Sequence, residues 1–471
     1  MGMNQTNVTS SKIEWPDEFP GAIWYGQEEL EAATKVIQRR SPFRYYGPDC
    51  LHETRTFEQE FGQWLGCAPG QRPEAQDAIH VTAVNSGTGA LEIALDALGV
   101  GAGDEVIVPG FMWISTISSV IRSRAIPVLI DSDDTLGLDP ECLEKTITPR
   151  TKVVIIVPML GGVPRMGRIM DEMRRINAHR LSSGLEPVRV LEDAAQALGA
   201  FAHGISGSII PQGPEGSYKV GTFGDAGTFS LQINKSISSG EGGMVVTRDP
   251  ELHRRIEALH NAGYAPHPQT PKDWYGDVPV GWGHGRRMSE LQAAVARVQL
   301  GRLDKILSHM RSSHDRLESH LQSLGIRTRV RADAKQPGDT GYYCVFDLPN
   351  PNSSEATRIE LGREMATYLG DYPLRPWYLH DFEVHVYYNI EPLVSKHPLP
   401  DGGPWGYPDN AFHHAYQYEK GSLPYLDERL TSSLGFNVPS QLNAEQEKAI
   451  KEVLTAMFHR FYAPAKARAS I

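Results

Sequence analysis

Between about residues 78 and 250 the chain alternates short, unbroken apolar runs with amphipathic stretches, and this alternation restricts the fold more than any other feature. Val106-Ile107-Val108, Ile126 to Ile130, Val153 to Val157 and Val188 to Leu191 are the clearest runs. A run without polar breaks suits a strand covered on both faces. Between them, Leu91, Ala94, Leu95 and Leu98 fall at i, i+3, i+4 and i+7, and Gly99 follows as a helix terminator. Strand and helix in repeated alternation predict an α/β fold on a mostly parallel, doubly wound sheet.

The rest of the 471 residues is read around that block. Residues 1–15 form a loose tail, although Met1-Gly2-Met3-Asn4-Gln5-Thr6 has the spacing of a myristoylation signal. Gly26 to Leu65 reads as helix, loop and helix, with Arg44-Tyr45-Tyr46-Gly47 in the loop. Ser289-Glu290-Leu291-Gln292 has the form of a capping box and opens a helix toward Leu307. Asn443 and Gln446 repeat the device, for a helix with Ile450, Val453, Leu454 and Met457 on its inner face. The expected division is a large domain over 16–308 and a smaller C-terminal domain over 309–471, with loop insertions at Gly204 to Gly221 and Pro398 to Asp409.

A formal net charge of −11 argues against a nucleic-acid or anionic-membrane footprint. No segment approaches a membrane span, and Cys50, Cys67, Cys142 and Cys344 lack metal-ligand or disulfide-framework spacing. A reduced, cytoplasmic protein without a metal site is expected.

Four local patterns carry the chemistry. Asn85-Ser86-Gly87-Thr88-Gly89, between strand and helix, offers backbone N–H groups to a phosphate, or is only a turn. Trp113 lies just past a strand end, where a flat ring either stacks on a flat ligand or packs as an ordinary aromatic. Asp193, in Leu191-Glu192-Asp193-Ala194-Ala195-Gln196, ends a buried strand, where ligands bind in open α/β sheets; a helix N-cap is its other reading. Lys235, in Ser230-Leu231-Gln232-Ile233-Asn234-Lys235 before Gly240-Glu241-Gly242-Gly243, lies among small and polar residues. Burial there would lower its pKa and leave free amine for covalent catalysis, against the usual role of a lysine as solvated charge.

In this order the patterns, together with SGT-x-AL, GDEVIVP, ITPRTK, EDAAQALGA, GEGG and RMSELQAA, resemble the DegT/StrS family of sugar aminotransferases, pyridoxal-phosphate (PLP) enzymes of fold type I. The resemblance runs from about Gly26 to the C-terminal helix. It implies a seven-stranded sheet flanked by helices, a smaller α+β C-terminal domain and a homodimer. It also implies PLP as cofactor: Lys235 condenses with the cofactor aldehyde, Asp193 pairs with the ring nitrogen, Gln196 lies near the ring hydroxyl and Trp113 covers the ring. Ser86, Gly87, Thr88 and Ser230 hold the phosphate, and Arg44, Tyr45, Tyr46 and Arg286 are candidates for the substrate. The implied reaction moves an amino group from glutamate or glutamine to a keto-sugar, aldehyde-sugar or cyclitol. Other PLP chemistry on the same fold is the alternative, although related dehydratases carry His where this chain has Lys235. A PLP-binding regulator would need a DNA-binding module, and neither a basic patch nor a helix-turn-helix extension is evident.

The chain departs from the family pattern in three places. Pro158 stands where a His is usual after the strand ending at Val157. Gly283-His284-Gly285-Arg286-Arg287-Met288 lacks the Asn that reaches the neighbouring subunit's phosphate, and Arg286 or His284 is expected to fill that gap. Asp193 and Lys235 stand 42 residues apart, an excess expected to form a hairpin from 204–221 near the active-site rim. The C-terminal aromatics and histidines, Trp377, Tyr378, His380, His385, Tyr387, Tyr388, His413 and His414, read either as a polar-edged pocket wall or as plain packing.

Overall fold

The computed structural model describes residue 16 and residues 19–66, 79–203, 217–263 and 281–463, apart from 334, 336, 351 and 373. The expected N-terminal tail lies outside them. Nine strands precede residue 250 among the described residues: β1 (His80–Val84), β2 (Glu105–Pro109), β3 (Ile126–Ile130), β4 (Thr151–Ile156), β5 (Arg189–Asp193), β6 (Phe201–His203), β7 (Ser217–Lys219), β8 (Ala226–Ser230) and β9 (Gly243–Thr247). Seven of them form one sheet in the order β1-β9-β8-β5-β4-β2-β3. All neighbours are parallel except β9, which is antiparallel to both β1 and β8. This is the α/β, mostly parallel seven-stranded sheet expected from the sequence.

That topology has a direct consequence for the site. β1, β2, β5 and β8 all run the same way, so the residues that follow them emerge at one edge of the sheet. Each of the four chemical patterns follows, or closes, one of these strands. Helices cover the sheet, among them α1 (Gln27–Arg39), α2 (Glu53–Gly66), α3 (Gly87–Ala97) and α4 (Ile114–Arg122). Phe57 and Phe61 of α2 are fully buried, and the Phe61 ring meets Phe229 of β8 edge-on at 5.3 Å. Gly99, at φ +78°, ends α3 as its position after Leu98 predicts.

The helix Glu290–Ser323 begins at the expected capping box: the Ser289 hydroxyl accepts from the Gln292 N–H at 3.3 Å and Gln292 Oε1 accepts from the Ser289 N–H at 3.0 Å. It runs well past Leu307. Its N-terminal two thirds, including Leu303, Ile306 and Met310, pack in the large core, and Leu317 and Leu321 pack in a second, smaller one. That smaller core includes residues of β10 (Tyr343–Asp347), β11 (Pro376–Tyr378) and β12 (Ser433–Asn437), which pair as β10-β12-β11. The C-terminal helix Ala444–Phe461 packs there too, with Ile450, Val453, Leu454 and Met457 buried.

Between β11 and β12 the chain leaves the small core. Leu379, Phe382, Val386, Tyr387, Leu423 and Leu426 pack in the large core, although 309–471 was expected to hold the small domain alone. This segment straps the edge of the sheet at β2 and β3. The Tyr387 N–H donates to Gly110 O and the Met112 N–H to His385 O, both at 3.0 Å. The Tyr418 hydroxyl donates to Pro127 O at 2.7 Å, and Asp131 accepts the N–H groups of Tyr425 and Leu426. Pairing and covering an edge strand removes an open hydrogen-bonding edge. Gly110 makes the close approach possible, because a Cβ there would overlap Leu423 and Leu426.

The hairpin expected from 204–221 is present at its base: β6 and β7 pair in register from Phe201↔Lys219 to His203↔Ser217. Residues 204–216 lie outside the described residues. The base hydrogen-bonds to Gly338 through Phe201 and to the Trp64 carbonyl through Lys219, on elements that carry none of the candidate cofactor residues.

Asn410 is the main pin of the strap. Its fully buried amide accepts the Gly103 N–H at 2.7 Å and donates to Arg124 O and Pro404 O, each at 2.9 Å. Asn410→Ala leaves these groups without their partner and should cost about 2 kcal/mol or more. Denaturant unfolding measures the loss, and amide exchange across 379–430 should speed up more than exchange in β5.

Candidate active site

Asp193 closes β5 with its side chain buried. Its Oδ2 accepts the Thr116 hydroxyl at 2.7 Å, and Oδ1 faces the Ala195 N–H at 3.3 Å. Burial pushes this carboxyl above its ordinary range, while the Thr116 and Ala195 bonds and the nearby Lys235 ammonium pull the other way. Lys235, half-buried in the loop after β8, shows the mirror image: burial lowers its ammonium pKa and Asp193 raises it. A low-dielectric position penalises whichever form is charged. Lysine and aspartate, brought to one edge by β5 and β8, therefore feel each other's charge, and burial shifts each toward its neutral form.

The lysine loop is held from several sides. The Lys235 N–H donates to Gln232 O at 2.9 Å, the Gly21 N–H donates to Lys235 O at 3.1 Å, and the Tyr342 hydroxyl donates to Asn234 O at 2.8 Å. Tyr25 of the N-terminal segment bonds Ser238 O at 2.9 Å. The loop is thus clamped between the N-terminal segment and the start of β10.

Opposite it, α3 starts at Ser86, whose hydroxyl accepts the Gly89 N–H at 3.0 Å. The N–H groups of Gly87 and Thr88 belong to a first turn that has no intrahelical partner for them. Positive helix-end charge and free donors make an anion seat. Its walls are hydroxyls: Thr88 Oγ1 lies 2.8 Å from Ser115 Oγ, and Ser230 lies across from Gly87. A Cβ on Gly87 would stand 2.8 Å from the Ser230 Cβ, so glycine is what lets α3 and β8 close together.

Trp113 caps α4 with 42% of its surface exposed, and its ring leans on His385 at 4.7 Å between centroids. Gln196 is half-buried, with Oε1 accepting the Leu160 N–H at 2.9 Å. Leu160 has a left-handed backbone at φ +57°, two residues beyond the departure at Pro158.

Three substrate candidates are placed differently from expectation. Arg44 is buried and engaged, with Nη2 on Glu58 at 2.9 Å and Nη1 on Ala83 O at 3.1 Å; that pair anchors the N-terminal loop to β1. The Tyr45 hydroxyl meets His260 Nε2 at 3.1 Å, and only Tyr46, 68% exposed, projects outward. Arg286 is bound to Glu92 of its own α3 at 2.5 Å, and His284 to Asp96 at 2.7 Å. The expected role for Arg286 at a neighbouring phosphate would require breaking that pair. Elsewhere, His314, Asp315 and Glu318 cluster, but Arg331 donates to all three.

Sequence reasoning did not single out Thr116 or Ser115, one turn into α4 after Trp113, and did not place His385. The Trp-x-x-Thr spacing was a usable signal for Thr116, since residues three apart share a helix face. Nothing local ties His385 to a site built more than a hundred residues earlier.

An anion seat, a partly exposed tryptophan, a buried acid and a half-buried lysine now share one sheet edge. A model of the DegT/DnrJ/EryC1/StrS aminotransferase family matches residues 26–393. The chain belongs to this family. It is similar to an L-glutamine:2-deoxy-scyllo-inosose aminotransferase of Streptomyces kanamyceticus, 37% identical over 64% of this chain and 65% of that relative. A Streptomyces fradiae protein of the same name is 34% identical over 77% of each chain. Among solved structures, 3-amino-5-hydroxybenzoic acid synthase superimposes with a TM-score of 0.69 at 25% identity, over 95% of this chain and 98% of that one. As a member of the family, this protein is an aminotransferase.

The contact at Gly87 gives this geometry its test. Gly87→Ala should push α3 from β8 and destabilise the protein by about 1–3 kcal/mol. Thermal unfolding without added ligand reads the effect, and no change would mean the two elements can slide apart freely.

Proposed function

We propose that this aminotransferase works with PLP at the Asp193–Lys235 edge, taking an amino group from glutamine or glutamate and delivering it to the carbonyl of a keto-cyclitol or related keto-sugar. The observation that carries the reading is the convergence of Asp193 and Lys235 beside the anion seat of α3. The residues suit the cofactor: donors and hydroxyls at Gly87, Thr88, Ser86 and Ser230 for a phosphate, an exposed Trp113 face for a flat ring, and a buried acid for its nitrogen. When bound, PLP supplies an electron sink in conjugation with the substrate carbon.

The chain's own groups do the remaining work. Lys235 would hold the cofactor through its side-chain amine, and burial lowers its ammonium pKa against the opposing pull of Asp193. With substrate bound in its place, Lys235 Nζ would be the group that takes the proton from the substrate carbon and returns it during the transfer. Asp193 would hold a proton on the ring nitrogen, with Thr116 fixing the carboxylate's direction. Gln196, its Oε1 taken by the Leu160 N–H, would have its amide nitrogen to offer the ring hydroxyl. With Arg286 and His284 on α3 acids, the phosphate relies on the first turn of α3 and the hydroxyls around it. The names of the relatives favour glutamine as donor and a cyclitol ketone as acceptor. A homodimer closes the open side of the pocket, with a two-fold interface of the size usual for stable dimers.

The direct experiment loads the enzyme with amino groups from glutamine, removes the donor and adds keto-cyclitols and keto-sugars singly. Return of the cofactor's visible band with a keto-cyclitol is expected; return only with simple 2-oxo acids would overturn the acceptor assignment. Lys235→Ala should abolish turnover and the visible absorbance of the lysine-bound cofactor. Asp193→Asn should fold normally yet transfer amino groups more slowly by about two or more orders of magnitude. Near-normal turnover in that variant would make Asp193 a structural acid. Sedimentation should give a dimer.

A further inference from the structure

The strap between β11 and β12 delivers one polar ring to the pocket. His385 leans on Trp113 at 4.7 Å and stacks on Phe382 at 3.9 Å with the planes 13° apart. Phe382 in turn meets Trp377 at 4.7 Å. The backbone around it is fixed to the end of β2 by the Met112 and Tyr387 bonds and by the Phe111↔Val386 bridge. The ring is close enough to Lys235 for the two to interact electrostatically.

Its hydrogen bonds define its chemistry. Nδ1 lies 3.2 Å from Phe382 O, and since a carbonyl only accepts, Nδ1 carries the proton. Nε2 has no hydrogen-bond partner among the described residues. Burial, against the opposing effect of the Phe382 bond, holds the imidazole down at about 4, so at neutral pH the ring is uncharged. Nε2 is then a lone-pair acceptor on an otherwise aromatic wall, beside the lysine.

We propose that His385 is a specificity residue for the amino acceptor: Nε2 accepts a hydrogen bond from a ring hydroxyl of the polyol and turns its carbonyl carbon toward Lys235. The inference rests on the reading that the acceptor is a keto-polyol. A bare lone pair can accept from any of the several hydroxyls of a polyol and repels the carboxylate of an amino-acid donor, whose own donors are confined to its amine and carboxamide. Phe382, buried and stacked on His385, fixes the plane of the imidazole and so the direction in which Nε2 points. His385 therefore favours the acceptor half of the reaction over the donor half.

The test uses the holoenzyme and treats the halves separately. His385→Phe keeps the stack and loses the acceptor atom; His385→Gln restores an acceptor oxygen on a flexible arm. Single-turnover titrations with glutamine and with 2-deoxy-scyllo-inosose give an apparent affinity for each half, and calorimetry with scyllo-inositol reads polyol binding without reaction. In His385→Phe the affinities for the inosose and for scyllo-inositol should weaken about tenfold or more, with glutamine within about twofold. His385→Gln should recover part of the loss. Unchanged inosose affinity in His385→Phe, or an equal loss for both substrates, overturns the proposal. If the wild-type enzyme accepts no keto-polyol at all, the functional reading fails and this inference falls with it; if the wild type accepts one and His385→Phe does so equally well, only the inference fails.

Discussion

Two adjacent carboxylates at the end of β5 organise this molecule. Successive side chains of a strand point to opposite faces, so Glu192 and Asp193 cannot share a task. Glu192 is fully buried and accepts the N–H groups of Gly221, Phe223 and Gly224 at 2.6, 2.6 and 2.8 Å. Burial lifts its carboxyl to about 7, with those three bonds opposing the rise. The residues it grips form the turn that leads into β8, and β8 ends at Ser230, just before the lysine loop. Glu192 thus sets where Lys235 arrives, while Asp193, one residue on, faces the place where it arrives. A one-residue slip of β5 would exchange the two roles and lose both.

Desolvation is the force that prepares the pair chemically. The same burial raises Asp193 and lowers Lys235, while each charge softens the shift of the other. A solvated lysine would stay protonated and could neither hold a carbonyl compound nor collect a proton. Thr116 holds back the opposite error, since its hydroxyl stabilises the charged form of the Asp193 carboxylate.

The parts of this arrangement that were legible in the sequence are those encoded locally. Continuous apolar runs announced β2, β3, β4 and β5, and the two capping boxes marked the starts of both long C-terminal helices. The antiparallel insertion of β9 between β1 and β8 has no local signature, because Gly243–Thr247 would read the same in either direction. Arg44 shows the complementary error. An arginine in a loop beside two tyrosines reads as a ligand for an anion, but Glu58, fourteen residues on, consumes it, and a pairing across a helix turn is invisible until the helix is placed. The strap from 379 to 430 was hidden for a similar reason. Its aromatics follow a small-domain strand in sequence, yet their apolar area is buried against β2 and β3.

The segment lacking the family's Asn fits the same electrostatic logic. Glu92 and Asp96 stand four apart on α3, in its middle and last turns, where negative charge opposes the helix dipole. Left bare, they would also weaken any anion held at the first turn of the same helix. Gly285, at φ +67°, turns the chain so that Arg286 and His284 each reach one of these acids, and the Gly285 N–H closes the turn onto Asn261 O at 2.5 Å. Asn85 receives the segment by donating to Arg286 O at 2.9 Å, immediately before the phosphate seat. Arg286 thus neutralises Glu92 and His284 hydrogen-bonds Asp96, so both side chains are engaged on the far part of α3. The positive end of the helix is left to act on the anion without competition from its own carboxylates.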